Sequence, residues 1–296
     1  MKSQGFNKPD FLIIGAQKAG TTWLWEKLNL HSGISLPKEK EIHFFGGVEN
    51  YQRGADWYYN HFSDLNPDKI TGEASTTYLY DRIPYWYNKS DQLEVDTSLP
   101  TIPELITREL PDIKIIVLLR DPVWRAVSAY KHWMRKGNIS PFLGLKETAL
   151  RYPKIRIIEC GHYGRYLKLW REYVPKEKML ILVFEEDIVK HPEDTLKKVF
   201  RFLNLDTGLK LDDVEKPVHK SWSWNRIILE HYAAHVMRLF SEKNKNRLAG
   251  FLSFLNLSAF GKEDIKFLRS SYISKKKYLE KLINRDLSCW DYGDSL

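Results

Sequence analysis

A short apolar run that ends in glycine and turns through a glycine-containing loop into a helix narrows this chain's fold more than any other feature. Asp10-Phe11-Leu12-Ile13-Ile14-Gly15 is continuous rather than alternating in its apolar residues, which marks a strand buried on both faces. Ala16-Gln17-Lys18-Ala19-Gly20-Thr21-Thr22 follows as a tight loop, and Trp23, Leu24, Lys27, Leu28 and Leu30 continue as a helix with an apolar face. The plan repeats along the chain. Strands are expected at Ile34–Leu36, Lys69–Glu73, Ile113–Leu119 and Met179–Phe184, and helices at Asp56–Phe62, Tyr163–Tyr173 and Asp194–Leu203. Another helix starts where Asp121 fits an N-cap and Pro122 the first turn, and it stops near Gly137. Tyr78–Pro100 is aromatic and polar without a period and reads as a long loop. Strands alternating with helices imply an α/β fold, a central parallel sheet flanked by helices in three layers. No repeat and no Gly/Ser/Pro linker divides the chain, so one domain over 1–296 is expected, with a core over about 9–222 and a C-terminal helical part over about 223–296.

Composition excludes several classes. Hydrophobic residues make up 43% and aromatics 14% of 296 residues, too many for a wholly disordered chain. Lys plus Arg number 46 against 38 Asp plus Glu, a net charge of +8. That favours anionic partners such as nucleic acid, phosphorylated or sulfated ligands, or anionic lipid, without choosing among them. Cys160 and Cys289 are the two cysteines and neither lies in a CxxC pair. They cannot form a four-cysteine zinc site, and two reduced thiols are the simplest reading. No stretch approaches ~18 uninterrupted apolar residues and Met1–Asp10 has no apolar signal core. The expectation is a protein without a membrane span, cytoplasmic, or else an excised lumenal catalytic domain.

The loop has a definite chemistry. A strand feeding a helix through a glycine turn leaves backbone N–H groups at a helix N-terminus, where the dipole also favours an anion. Lys18 adds a cation, and Thr21 and Thr22 add hydroxyl donors. The spacing is Gly15-x4-Gly20-Thr21-Thr22, with the lysine two residues before the second glycine. A nucleotide triphosphatase loop has Lys after that glycine, where Thr21 stands here. The strong strand Ile113–Leu119 ends in Arg120 rather than in an acid to hold Mg²⁺. The loop suits an anion and argues against a triphosphatase.

Lys18-Ala19-Gly20-Thr21-Thr22-Trp23 behind a buried strand resembles the phosphosulfate-binding loop of sulfotransferases, which use 3′-phosphoadenosine 5′-phosphosulfate (PAPS) and release 3′-phosphoadenosine 5′-phosphate (PAP). A second block, Arg120-Asp121-Pro122-Val123-Trp124-Arg125-Ala126-Val127-Ser128-Ala129-Tyr130, resembles the family's 3′-phosphate block. The resemblance covers about residues 9–222. It implies that Lys18 stabilises charge on the leaving oxygen, and that Ala19, Gly20, Thr21 and Thr22 hold the 5′-phosphosulfate. It implies that Trp23 stacks on adenine and that Arg120 and Ser128 bind the 3′-phosphate, a contact suited to a planar guanidinium. Tyr163, in Gly161-His162-Tyr163-Gly164-Arg165-Tyr166, matches a tyrosine of the carbohydrate-sulfotransferase branch. Both cofactor contact and core packing are open to it. Lys220, in His219-Lys220-Ser221-Trp222-Ser223-Trp224-Asn225, stands where the family closes a basic loop over the cofactor, without the usual Lys-Gly-Arg pattern. No metal is implied.

Lys40-Glu41-Ile42-His43-Phe44-Phe45 resembles the Lys-Glu-x-His-Phe-Phe segment of heparan sulfate sulfotransferases, so Glu41 is implied as the base and His43 as its support. In an extended segment the two side chains would share a face. A free glutamate titrates near 4.3, so burial or a closing substrate would have to raise Glu41 for work near neutrality. Two positions depart from that branch: Gly46 replaces an acid after the Phe pair, and Glu73-Ala74-Ser75-Thr76-Thr77 lacks the lysine of a Glu-Lys-Ser/Thr segment. The acceptor, a hydroxyl or amine on a glycan, glycolipid or smaller molecule, falls to loops such as Gly47–Tyr59 and Tyr78–Pro100. Two other readings remain at this point. A nucleotide-kinase-like phosphotransferase shares the P-loop-like plan. A nucleic-acid binder would use the basic charge and ten Trp, but these are scattered and several lie in expected helices. Oligomeric state is not legible.

Overall fold

The computed structural model describes residues 7–82, 98, 100–140, 143–207, 224–232, 241–251 and 260–291. Five strands form its centre: β1 (Phe11–Gly15), β2 (Ile34–Ser35), β3 (Ile70–Ala74), β4 (Lys114–Leu119) and β5 (Met179–Val183). Their order is β2-β3-β1-β4-β5 and every pairing is parallel. The continuous apolar run of β1 is fully buried because it sits between β3 and β4, with both sheet faces covered. The expected α/β fold with a flanked parallel sheet is what the chain adopts.

The helices are α1 (Thr21–Leu28), α2 (Val48–Tyr51), α3 (Ala55–Asn60), α4 (Ile102–Glu109), α5 (Pro122–Arg135), α6 (Leu145–Arg151), α7 (Tyr163–Tyr173), α8 (Pro192–Phe202) and α9 (Trp224–Tyr232), followed by helices Glu242–Phe251 and Lys262–Ile283. The α5 start follows the sequence signal. Asp121 Oδ1 accepts from the Val123 amide at 2.7 Å and the Trp124 amide at 3.4 Å, with Pro122 in the first turn. Two apolar clusters hold the elements. The larger surrounds the sheet. The second joins Val123, Val127 and Tyr130 of α5 to Trp224 and Ile227 of α9 and to Ile265, Leu268 and Tyr272 of the C-terminal helix.

Some segments differ from expectation. The stretch after Pro100, unassigned from the sequence, carries α4, whose Ile102, Leu105 and Ile106 are buried and whose Thr101 hydroxyl accepts from the Glu104 amide. The strand expected to reach Phe184 stops at Val183, and Phe184–Lys190 forms a wide π-helical turn. Gly47–Tyr59 is not an open acceptor loop. It holds α2 and most of α3, and Tyr58 and Tyr59 are buried, with Phe44 stacked on Tyr58 at 4.7 Å. Of the Tyr78–Pro100 aromatics, Tyr78 and Tyr80 are buried, while Tyr85, Trp86 and Tyr87 lie outside the described residues. Cys160 and Cys289 are both free. Among the described residues no helix is long and apolar enough to cross a membrane.

The sheet carries the stability. Leu118 is fully buried on central β4, whereas Leu150 on α6 is 63% exposed. Urea unfolding should show Leu118→Ala losing about 2–5 kcal/mol, the usual range for a truncated core leucine, and Leu150→Ala staying within about 0.5 kcal/mol of wild type.

Candidate functional site

Because β1 and β4 are adjacent and parallel, the turns leaving their C-terminal ends meet. Gly20, the N-cap of α1, has φ 95°, and a Cβ there would come within 2.9 Å of the Phe184 ring. Glycine is therefore required for both conformation and space. With no side chain capping α1, its first-turn amides at Thr21, Thr22 and Trp23 lack intrahelical partners and face the loop's concavity. Thr21 is buried and Thr22 half-buried; Ala19 is buried beneath the loop. Lys18 takes a left-handed backbone at φ 68°, a strained state for a residue with a side chain. Its carbonyl accepts from Arg120 Nη1 at 3.1 Å.

Arg120 lies immediately after β4 and is held on several sides. Its guanidinium sits 4.8 Å from the Phe184 ring centre, and its Nε is 3.9 Å from Glu185 Oε1. Ser128 lies two turns further along α5. The positions four and seven residues beyond it, His132 and Arg135, share its face. His132 and Arg135 lie within electrostatic reach of Lys18. Burial, followed by Arg135, Arg120 and Lys40, pushes the Lys18 ammonium down to about 8 against the pull of Glu41. Burial, followed by Lys18, Lys136 and Arg135, pushes His132 down to about 4, so its ring is neutral near pH 7. His132 and Arg135 were missed in the sequence, although the helical step from Ser128 points to both.

The Lys40–Phe45 segment reaches the same place by a different geometry from the extended one expected. Residues 40–43 form no strand, and His43 has a left-handed φ of 56°. Glu41 and His43 nevertheless meet, with His43 Nε2 3.2 Å from Glu41 Oε2. The reason lies in the following strand's turn. The His43 amide donates to Ser75 Oγ at 2.9 Å, and His43 Nδ1 pairs with Thr77 Oγ1 at 2.9 Å. Ser75 in turn donates to Glu73, which is fully buried and also accepts from Tyr58 at 2.8 Å and Tyr78 at 2.8 Å. Burial pushes the Glu73 carboxyl up, while the Ser75, Tyr78 and Tyr58 hydroxyls oppose this. Glu73, Ser75 and Thr77 thus form the support under His43.

This support accounts for both departures noted in the sequence. A Cβ at Gly46 would run into the Thr77 side chain, so an acid cannot stand there while Thr77 holds His43. The Glu73–Thr77 stretch, without its lysine, serves as a hydrogen-bonding platform. Burial alone does not raise Glu41. Burial acts upward, but the hydrogen bond from His43 and the ammonium of Lys40, 2.8 Å away, outweigh it and hold the carboxyl at about 2. Glu41 is ionised at any neutral pH.

The remaining residues fall as follows. Trp23 is 4% exposed in the main core, and its indole Nε1 has no hydrogen-bond partner among the described residues. Tyr163 is buried and donates its hydroxyl to the Arg120 carbonyl at 2.8 Å. Lys220 lies outside the described residues. Among the described residues no group of three or more His, Cys, Asp or Glu is placed to hold a metal ion.

Fold and site together define an α/β protein of the strand–loop–helix, anion-binding class. The sulfotransferase-domain family matches residues 8–257, and the chain belongs to that family. It is 28% identical over 205 residues to heparan sulfate glucosamine 3-O-sulfotransferase 5 of Mus musculus, covering 67% of this chain and 54% of that protein. It is 29% identical over 210 residues to the bifunctional heparan sulfate N-deacetylase/N-sulfotransferase 1 of Caenorhabditis elegans, covering 67% of this chain and 22% of that one. The chain therefore spans about half or less of these relatives' length. In fold it is similar to a sulfotransferase from Alicyclobacillus acidocaldarius, with a TM-score of 0.66 at 23% identity over 96% of this chain and 99% of that one.

The depressed Lys18 has a measurable consequence. If the protonated ammonium holds the anion, PAP affinity should be near full well below pH 8 and fall as pH rises through the Lys18 value of about 8. The fall approaches tenfold per unit at most. Calorimetry between about pH 7 and 9.5 should show this slope in wild type and a flat profile in Lys18→Ala.

Proposed function

We propose that the protein moves the sulfuryl group of PAPS to a hydroxyl, or an amine, of a carbohydrate acceptor. The observation that carries this reading is the position of Lys18. It lies within electrostatic reach of Arg120 and Arg135 and also of Glu41, whose carboxylate pairs with His43. Cations for a departing phosphate and a carboxylate–imidazole pair for an incoming hydroxyl thus lie near one lysine. The names of the relatives support a sugar acceptor.

In this reading the loop amides with Thr21 and Thr22 hold the 5′-phosphosulfate, and Arg120 with Ser128 holds the 3′-phosphate. Trp23 backs the loop from the core. Tyr163 acts on the Arg120 backbone, and Lys220 is assigned to the segment closing the cofactor site. The acceptor oxygen gives its proton to the Glu41–His43 unit and bonds to sulfur. The bond from sulfur to the bridging oxygen breaks, its electron pair stays on the 5′-phosphate of PAP, and Lys18 stabilises that charge. Glu41 at about 2 is too weak a base while Lys40 and His43 both hold it. An acceptor that draws Lys40 away raises its basicity at the moment of transfer. Thr77 fixes the His43 ring so that Nε2 faces Glu41.

Three measurements check the assignment. Arg120→Ala should weaken PAP binding by roughly 1.5–3 kcal/mol, the value of a charged hydrogen-bonded contact; equal affinity removes Arg120 from the site. Glu41→Gln should lower turnover by ~10²–10⁴-fold without weakening PAP binding, and His43→Ala should cost less. Normal turnover in Glu41→Gln with a dead His43→Ala makes histidine the base. Finally, PAP alone should raise the melting temperature in EDTA, by linkage to the native state. Stabilisation by ATP–Mg²⁺ and not by PAP would support a phosphotransferase instead.

A further inference from the structure

Glu185 and Asp187 follow β5 on the π-helical turn Phe184–Lys190, and the reaction outlined above uses neither. Each is gripped by the C-terminal arm that follows the helix Lys262–Ile283. Asp187 Oδ2 accepts from the Val183 amide and pairs with Arg285. Glu185 works on both oxygens. Oε2 accepts the indole N–H of Trp290 at 2.8 Å, while Oε1 accepts the Asp121 amide at 3.1 Å and faces Arg120 Nε at 3.9 Å. Trp290 is 9% exposed, and its ring lies 6.2 Å from that of Tyr163, whose hydroxyl holds the Arg120 carbonyl.

Through Trp290 and Glu185 the arm reaches one side chain, Arg120. A guanidinium carries five donors in a fixed plane. In Arg120, one Nη1 hydrogen goes to the Lys18 carbonyl, while Nε has no hydrogen-bond partner among the described residues and faces Glu185 Oε1 as an ion pair at 3.9 Å. The second Nη1 hydrogen and the Nη2 edge remain, oriented by that hydrogen bond, by the charge of Glu185 and by the Phe184 ring. Resting on the sulfotransferase reading, we propose that Glu185 and Trp290 are positioning residues for the 3′-phosphate: Trp290 orients Glu185, and Glu185 aims Arg120. The C-terminal arm thereby becomes part of the cofactor site without touching the cofactor.

Charge makes the proposal sharp. A carboxylate this close to an anion site opposes anion binding through space. If Glu185 acted by charge alone, Glu185→Gln would tighten PAP. As a positioning residue it predicts the reverse. Glutamine has one acceptor oxygen, so either the Asp121 amide or the Trp290 indole would face an NH₂ donor, and the Arg120 Nε would lose the negative charge it faces.

The test is calorimetry of wild type, Glu185→Gln and Trp290→Phe with two ligands, PAP and adenosine 5′-phosphate, which has no 3′-phosphate. The expected result is PAP affinity about tenfold weaker in Glu185→Gln and about threefold weaker in Trp290→Phe, with adenosine 5′-phosphate within about twofold of wild type in both. The double variant should lose little more than Glu185→Gln alone, as for residues acting in series. Unchanged or tighter PAP binding in Glu185→Gln overturns the proposal, as do equal losses for both ligands, which mark a merely structural role. Wild type that binds no PAP overturns the sulfotransferase reading itself, and is told apart because it needs no variant.

Discussion

The hydrogen bond from Arg120 Nη1 to the Lys18 carbonyl ties together the two segments on which the site depends. It is available because β1 and β4 are neighbours at the centre of a parallel sheet, so their following turns emerge side by side. One guanidinium thereby fixes the left-handed Lys18 and ends β4 in a cation. Burial first, and then the neighbouring cations Arg135, Arg120 and Lys40, push Lys18 down to about 8. A buried ammonium among other cations is the kind of group that an anionic ligand would relieve.

A second constraint acts from the opposite side. The buried Glu73, satisfied by three hydroxyls, anchors Ser75, and Ser75 with Thr77 sets the His43 backbone and ring. The carboxylate–imidazole pair is thus built on a turn after β3, and the cation site on turns after β1 and β4. All three strands lie together in the sheet. This arrangement brings groups of opposite charge to the same point from separate elements, each fixed by its own hydrogen bonds.

Much of this was legible because it is local. The continuous apolar run of β1, the Asp121-Pro122 helix start and the strand Ile113–Leu119 each carry their signal within a few residues, and the structure reproduces them to within a residue or so at the strands. Helix α4 is unassigned in the sequence although Ile102, Leu105 and Ile106 have helical spacing, in a short stretch with Pro103 in its first turn. The non-local parts were not legible. Glu41 and His43 meet through contacts to Ser75 and Thr77, some thirty residues away, rather than through strand alternation. The aromatics of Gly47–Tyr59 look like acceptor contacts in sequence, but Tyr58 is spent on Glu73 and on packing. Glu185 and Trp290 show no signal at all, since their meaning comes only from the fold that joins them.

The most direct measurement of the account is of the transfer itself. The full chain is incubated with PAPS and a panel of oligosaccharides, and mass spectrometry follows the acceptor while released PAP is quantified. The account predicts that a sugar gains one SO₃ for each PAP released, and that no gain occurs without PAPS. PAPS left intact across the panel, or an acceptor that gains phosphate from ATP instead, would contradict it.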